Sequence, residues 1–143
     1  MTRGAELNNP INLKHNPNIK WKGEEVTHDP EGVLCQFDTM VDGCRAGAID
    51  ILTAFLDHQR TTVTAIITPF APPGVDNNET TSYIGFMSRW MGVQPLDHVD
   101  LTEPAALIKW MVGQIQFEQG SQIATTDEIA QGITEALAYK GAS

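Results

Sequence analysis

Clustered positive charge is what this sequence most conspicuously lacks. Nine Lys and Arg stand against 18 Asp and Glu, a formal net charge of −9 at pH 7. Nucleic-acid binding depends on gathered Lys and Arg that neutralise phosphates, so that function class is excluded. The same shortage disfavours docking on anionic membranes. Long apolar runs are missing too, and nothing approaches the roughly 20 residues that span a bilayer. The opening MTRGAELNNP has no apolar core of a secretory signal, so export is expected to rely on a partner. Cysteine is scarce: Cys35 and Cys44 make no disulfide framework and are expected to be buried and reduced. The four histidines (His15, His28, His58 and His98) are scattered, with no Cys or His pair at ligand spacing, so neither a metal nor a cofactor is expected. Phosphate-binding glycine loops, dinucleotide fingerprints and serine-nucleophile elbows are also absent.

What remains is an acidic chain of 143 residues, 41% hydrophobic and 19% charged, which suits one domain over residues 1–143 with a real core. Its first 38 residues are rich in turn formers: Asn8, Asn9, Pro10, Asn12, Asn16, Pro17 and Asn18 leave no room for a long helix. Apolar Trp21 and Val26 before a turn at 28–32, and Val33, Leu34, Cys35 and Phe37 after it, predict a β-hairpin between about Lys20 and Phe37. Beyond Asp38 the pattern is helical. Thr39 caps a helix to about His58, and Thr61 or Thr62 opens a short one that Pro69 ends, with an exposed loop from Pro72 through Asn78. A third helix is predicted from about Glu79 to Met91 and a fourth from Pro104 to about Glu118. The last starts at a Thr125–Glu128 capping box. Trp21, Phe37, Phe55, Ile66, Tyr83, Trp90 and Met111 are expected in the core. The fold class is α+β and mostly helical, about five helices with one hairpin near the start.

Several short motifs carry a resemblance that runs along nearly the whole chain. Arg3-Gly4 … Asn8-Asn9-Pro10-Ile11-Asn12-Leu13, Lys20-Trp21-Lys22-Gly23, Gln36-Phe37-Asp38, Ala71-Pro72-Pro73, Thr81-Ser82-Tyr83-Ile84, Phe117-Glu118-Gln119-Gly120 and Glu128-Ile129 … Gly132-Ile133 occur in this order. Together they resemble a family of small phage and prophage virion proteins that open on an "RGxRNNNPxNI" motif. Glu6 and Leu7 stand where that family has Arg and Asn. The family in turn resembles lysozyme-like cell-wall hydrolases, the glucosaminidases and lytic transglycosylases. Those enzymes carry a catalytic Glu at a helix end, followed by an Asn-Leu turn, a Trp-Lys-Gly segment and a hairpin. Here the turn, Trp21-Lys22-Gly23 and the hairpin keep that order, but no full helix fits before Asn12. The helix ending in Glu118-Gln119-Gly120 looks like the missing one, so a circularly permuted lysozyme-like domain is expected, with Glu118 folded back against Asn12.

The resemblance implies cleavage of peptidoglycan glycan strands, or a non-catalytic virion structural protein of the same shape. A glycosidic bond is cut by a carboxylic acid kept protonated near neutral pH by apolar neighbours. Glu118, with Ile115 and Phe117 close in sequence, is the leading candidate acid. A carboxylate near a helix C-terminus opposes the helix dipole, so its place there suggests function. Glu6 is the competitor, on a turn-rich support. Asp29, Glu31 or Asp38 can supply a second carboxylate if water or a covalent intermediate is used. Asn9, Asn12, Gln36 and Tyr83 are the expected substrate-binding residues along a sugar groove. Expected partners are glycan strands and other virion or tail proteins. The protein is expected on the virion, or in the host cytoplasm before release, and to act in the periplasm or cell wall.

Overall fold

The computed structural model describes residues 1–74 and 77–141. Six α-helices and one two-stranded antiparallel ribbon are formed among them. In chain order these are α1 (Arg3–Glu6), β1 (Glu24–Glu25), β2 (Gln36–Phe37), α2 (Met40–Leu52), α3 (Val63–Phe70), α4 (Asn77–Met91), α5 (Pro104–Gln119) and α6 (Thr126–Lys140).

Helices α2, α3 and α6 each begin at a threonine side-chain cap. The hydroxyl of Thr39 accepts from the Asp42 N–H, and that of Thr62 accepts from the Ala65 N–H. Thr125 and Glu128 form the reciprocal capping box expected from their spacing. Pro104 opens α5, and Gly120, at φ 76°, closes it in the left-handed conformation that favours glycine. The predicted run from Thr39 to His58 is met by α2 and a π-helical turn, Thr53–Asp57, that continues it.

The largest helix contact is between α2 and α6. Gly132 brings their backbones together: a Cβ there would lie 2.6 Å from Cys44 Cβ and 2.8 Å from the Arg45 nitrogen. The core holds Ile51, Leu52, Ile67, Leu107, Met111 and Ile115, all at most 1% exposed. A satellite cluster of Leu13, Cys35, Phe37 and Ala46 fixes the hairpin to α2. Both cysteines are free and buried, as expected. No helix among the described residues is long and apolar enough to cross a membrane.

Four expectations are corrected. A single helical turn, α1, stands in the region read as irregular; four residues are too few to show a helical period. The hairpin pairs only Glu24 with Phe37 and Glu25 with Gln36. Its long connection is held instead by the Asp29 carboxylate, which accepts from the N–H groups of Val33 and Leu34 at 2.9 Å each. Trp21, Phe55 and Trp90 are half-buried, while Trp110 takes the fully buried place. Finally, α4 starts at Asn77, so the loop read through Asn78 is shorter; its Val75 and Asp76 lie outside the described residues.

Candidate active site

The N-terminal segment is threaded against the C-terminal end of α5. Asn8 and Asn12 both occupy the left-handed region, at φ 53° and 55°, which asparagine tolerates better than most residues. Those two turns carry the chain past the end of α5, where Gln119 locks it. Thr2 donates to the Gln119 carbonyl at 2.5 Å, and the Gln119 amide donates to Pro10 O and Asn12 Oδ1, each at 3.0 Å.

Fixed in this way, Asn12 donates from Nδ2 to Glu118 Oε1 at 2.9 Å. Glu118 is half-buried, and burial pushes its carboxyl above the ordinary glutamate value. The Asn12 amide, the Tyr83 hydroxyl and the Lys14 charge pull it back, while the negative charge of Glu79 raises it further. Its position at the C-terminal end of α5 disfavours the charged form in the same sense as burial.

Tyr83 is held by its surroundings rather than by Glu118 alone. Its ring stacks on Phe117 with centroids 4.0 Å apart and meets Phe70 edge-on at 6.3 Å. The Trp110 indole donates to Gln114 Oε1 at 2.5 Å, and the Gln114 amide donates to the Tyr83 oxygen at 2.8 Å. With its oxygen occupied as an acceptor, the Tyr83 hydroxyl directs its own proton towards the carboxylate. Burial and the Glu118 charge keep that phenol protonated by raising its pKa further.

A hollow of about 180 Å³ opens beside the carboxyl, walled by Asn12, Lys14, Phe70, Glu79, Tyr83 and Glu118. It adjoins a second hollow of about 210 Å³ through Asn12, Lys14 and Phe70, where Trp21, Asn16 and Asp50 join the wall. A third, of about 180 Å³, continues past Phe70 and Asp50 to His58 and Arg60. The three adjoin around Phe70, which walls all of them, and together make a grooved surface in which Glu118 walls the first hollow.

Asn12, Tyr83 and Glu118 are thus brought together, and the other candidates are not. Asn9 is fully buried, with its amide donating to Leu13 O and Cys35 O at 2.9 Å and its carbonyl accepting from Leu13 N at 2.8 Å. That takes it out of any solvent-facing groove. Gln36 lies on β2, where its carbonyl accepts from His28 N at 2.7 Å. Glu6 is exposed at the end of α1. Of the proposed second carboxylates, Asp29 anchors the hairpin connection. It also pairs with Arg3 at 3.2 Å, and its backbone hydrogen bonds, foremost that from Leu34, hold its pKa down. Glu31 is an exposed partner of Arg3, and Asp38 is exposed beyond β2.

The carboxylates that do face the groove went unnoticed in the sequence. Glu79 walls the first hollow from the opening turn of α4. Asp50 walls the next two, and burial raises its pKa against the opposing pull of Arg60. A single carboxylate inside the apolar stretch Ala48-Ile49-Asp50-Ile51-Leu52 was the available signal.

No family model matches the chain. It is 35% identical over 136 residues to Protein P5 of Pseudoalteromonas phage PM2, an alignment covering 91% of this chain and 79% of that protein. A shared identity of this extent, running through nearly the whole chain, places it in the bacteriophage protein family of phage PM2 Protein P5.

Proposed function

We propose that the protein cleaves the glycan strand of peptidoglycan, as a lysozyme-like glycosidase or lytic transglycosylase, with Glu118 as its general acid. The observation that carries this reading is the half-buried Glu118 carboxyl with a raised pKa on the wall of a groove. A general acid must hold a proton until the leaving oxygen needs it and must then tolerate the charge left behind. Burial serves the first need. The Asn12 amide, at 2.9 Å, and the Tyr83 hydroxyl serve the second.

Glu118 protonates the glycosidic oxygen, the bond to the anomeric carbon breaks, and positive charge develops on the sugar ring. In a transglycosylase the substrate's own hydroxyl captures that centre and gives its proton to the Glu118 carboxylate, so one carboxyl suffices. In a hydrolase, water does so, and Glu79 or Asp50 is the carboxylate within the groove able to assist. Phe70 and Trp21 offer apolar faces to sugar rings, between polar groups of Asn12, Asn16 and Lys14. The net charge of −9 slows free encounter with an anionic cell wall, which favours a protein carried on the virion among other virion or tail proteins. The lysozyme-like shape with its acid-bearing helix permuted to the C-terminal side belongs to the same proposal.

A second reading is a non-catalytic virion structural protein. The hydrogen bonds from Gln119 to Pro10 and Asn12 favour it, since they tie the N-terminal segment to α5 and Glu118 extends the same clamp. Clearing of permeabilised bacterial cells separates the two. The catalytic reading requires clearing by the parent chain, loss with Glu118→Gln and retention with Glu6→Gln. A folded parent that clears nothing supports the structural reading.

A further inference from the structure

We propose that His15, Glu24 and Cys35 bind a divalent transition metal of zinc type, with one coordination position open to solvent. Backbone pairing brings these distant residues together. Residues 13–15 run antiparallel to 33–35, with His15 N donating to Val33 O at 2.7 Å and Cys35 N donating to Leu13 O at 2.9 Å. Glu24 enters from β1. His15 Nδ1 lies 3.0 Å from Glu24 Oε2, and the imidazole, carboxylate and sulfur donors all lie within 4.8 Å of one another.

The donor set suits zinc chemistry: one nitrogen, one oxygen and one sulfur, the number of protein ligands that leaves a fourth position for water or substrate. Bond lengths of about 2.0–2.3 Å put tetrahedral donors ~3.5 Å apart, so the cluster must close by about 1 Å. Half-exposed His15 is the ligand able to move. Cys35, 1% exposed, closes the buried side, whereas His15 and Glu24 wall an open hollow of about 310 Å³ that provides the entry path. The remaining Glu24 oxygen accepts from Trp21 N at 3.0 Å, which orients the carboxylate as outer partners of metal ligands do. On binding, the metal–sulfur bond replaces the S–H bond, and the proton leaves to solvent. A metal there would pin the segment carrying Asn12 to the hairpin connection.

The test is titration of the reduced full-length chain with Co²⁺, which reports a thiolate ligand by its sulfur-to-metal charge-transfer absorption, followed by displacement with Zn²⁺. The band should appear in the parent and in Cys44→Ser and be absent from Cys35→Ser. Since Cys35 is buried and its variant can misfold, exposed His15→Ala provides an independent arm. It should weaken Co²⁺ binding at least ~10-fold, the loss that an outer partner alone already causes. Zn²⁺ should raise the melting temperature of the parent and not that of His15→Ala. No charge-transfer band in the parent, or a band retained in Cys35→Ser, overturns the proposal.

Discussion

Across 106 residues of sequence, the Asn12 amide donates a 2.9 Å hydrogen bond to the Glu118 carboxylate. The bond joins a left-handed turn near the N-terminus to the last turn of α5 and stabilises the charged form of Glu118. Asn12→Gly keeps the left-handed backbone without strain and removes the amide. The pKa of Glu118 should rise, and the alkaline limb of the activity profile should move to higher pH. A ¹³C titration of the Glu118 carboxyl checks this without relying on turnover.

Glu118→Gln separates catalysis from stability. Loss of a general acid costs on the order of 10²–10⁴ in rate, so clearing activity should fall by that factor. Stability should move the other way. The folded pKa is raised above 4.5, so the favourable contribution of the protonated form is present below that value. It is lost as pH rises through the folded pKa. Urea midpoints of parent and variant should approach one another near pH 4, and the variant should be the more stable at pH 7.

Asn9→Ala should damage the fold rather than any binding step. It leaves Cys35 O and Leu13 N without a buried partner, while Leu13 O keeps the Cys35 N–H. Unpaired buried groups cost roughly 1–3 kcal/mol each, and partial relaxation brings the expected total to about 2–4 kcal/mol. Chemical denaturation at constant m-value is the measurement.

Gly132→Ala weighs helix propensity against space. Alanine gains up to about 1 kcal/mol in a helix interior. Its Cβ, however, meets Cys44 Cβ and the Arg45 nitrogen, which cannot swing aside as a flexible side chain does. Overpacking at about 1–3 kcal/mol outweighs the gain, so thermal unfolding should show a lowered midpoint.

The helices were legible because local chemistry marks their ends: Thr39, Thr62, Pro104, Gly120 and the Thr125–Glu128 box each act through neighbours in sequence. The hairpin was legible as a reversal but not in extent, because the Asp29 side chain replaces ladder bonds there. At the site the limit was different. Asn9 and Asn12 are the same residue type in the same motif, yet one is spent inside the fold and the other faces the groove. Only the path of the chain past α5 distinguishes them. Asp50 was hidden for the same reason, since a helical carboxylate becomes a groove wall only when α3 and the Asn12 segment are laid beside it.

Mass spectrometry of purified peptidoglycan after incubation with the parent chain and with Glu118→Gln tests the central claim most directly. The account predicts new glycan ends from the parent alone: an anhydro sugar for transglycosylase action, or a reducing N-acetylmuramic acid or N-acetylglucosamine for hydrolysis. Intact glycan after incubation with the folded parent, or the same ends from Glu118→Gln, would contradict it.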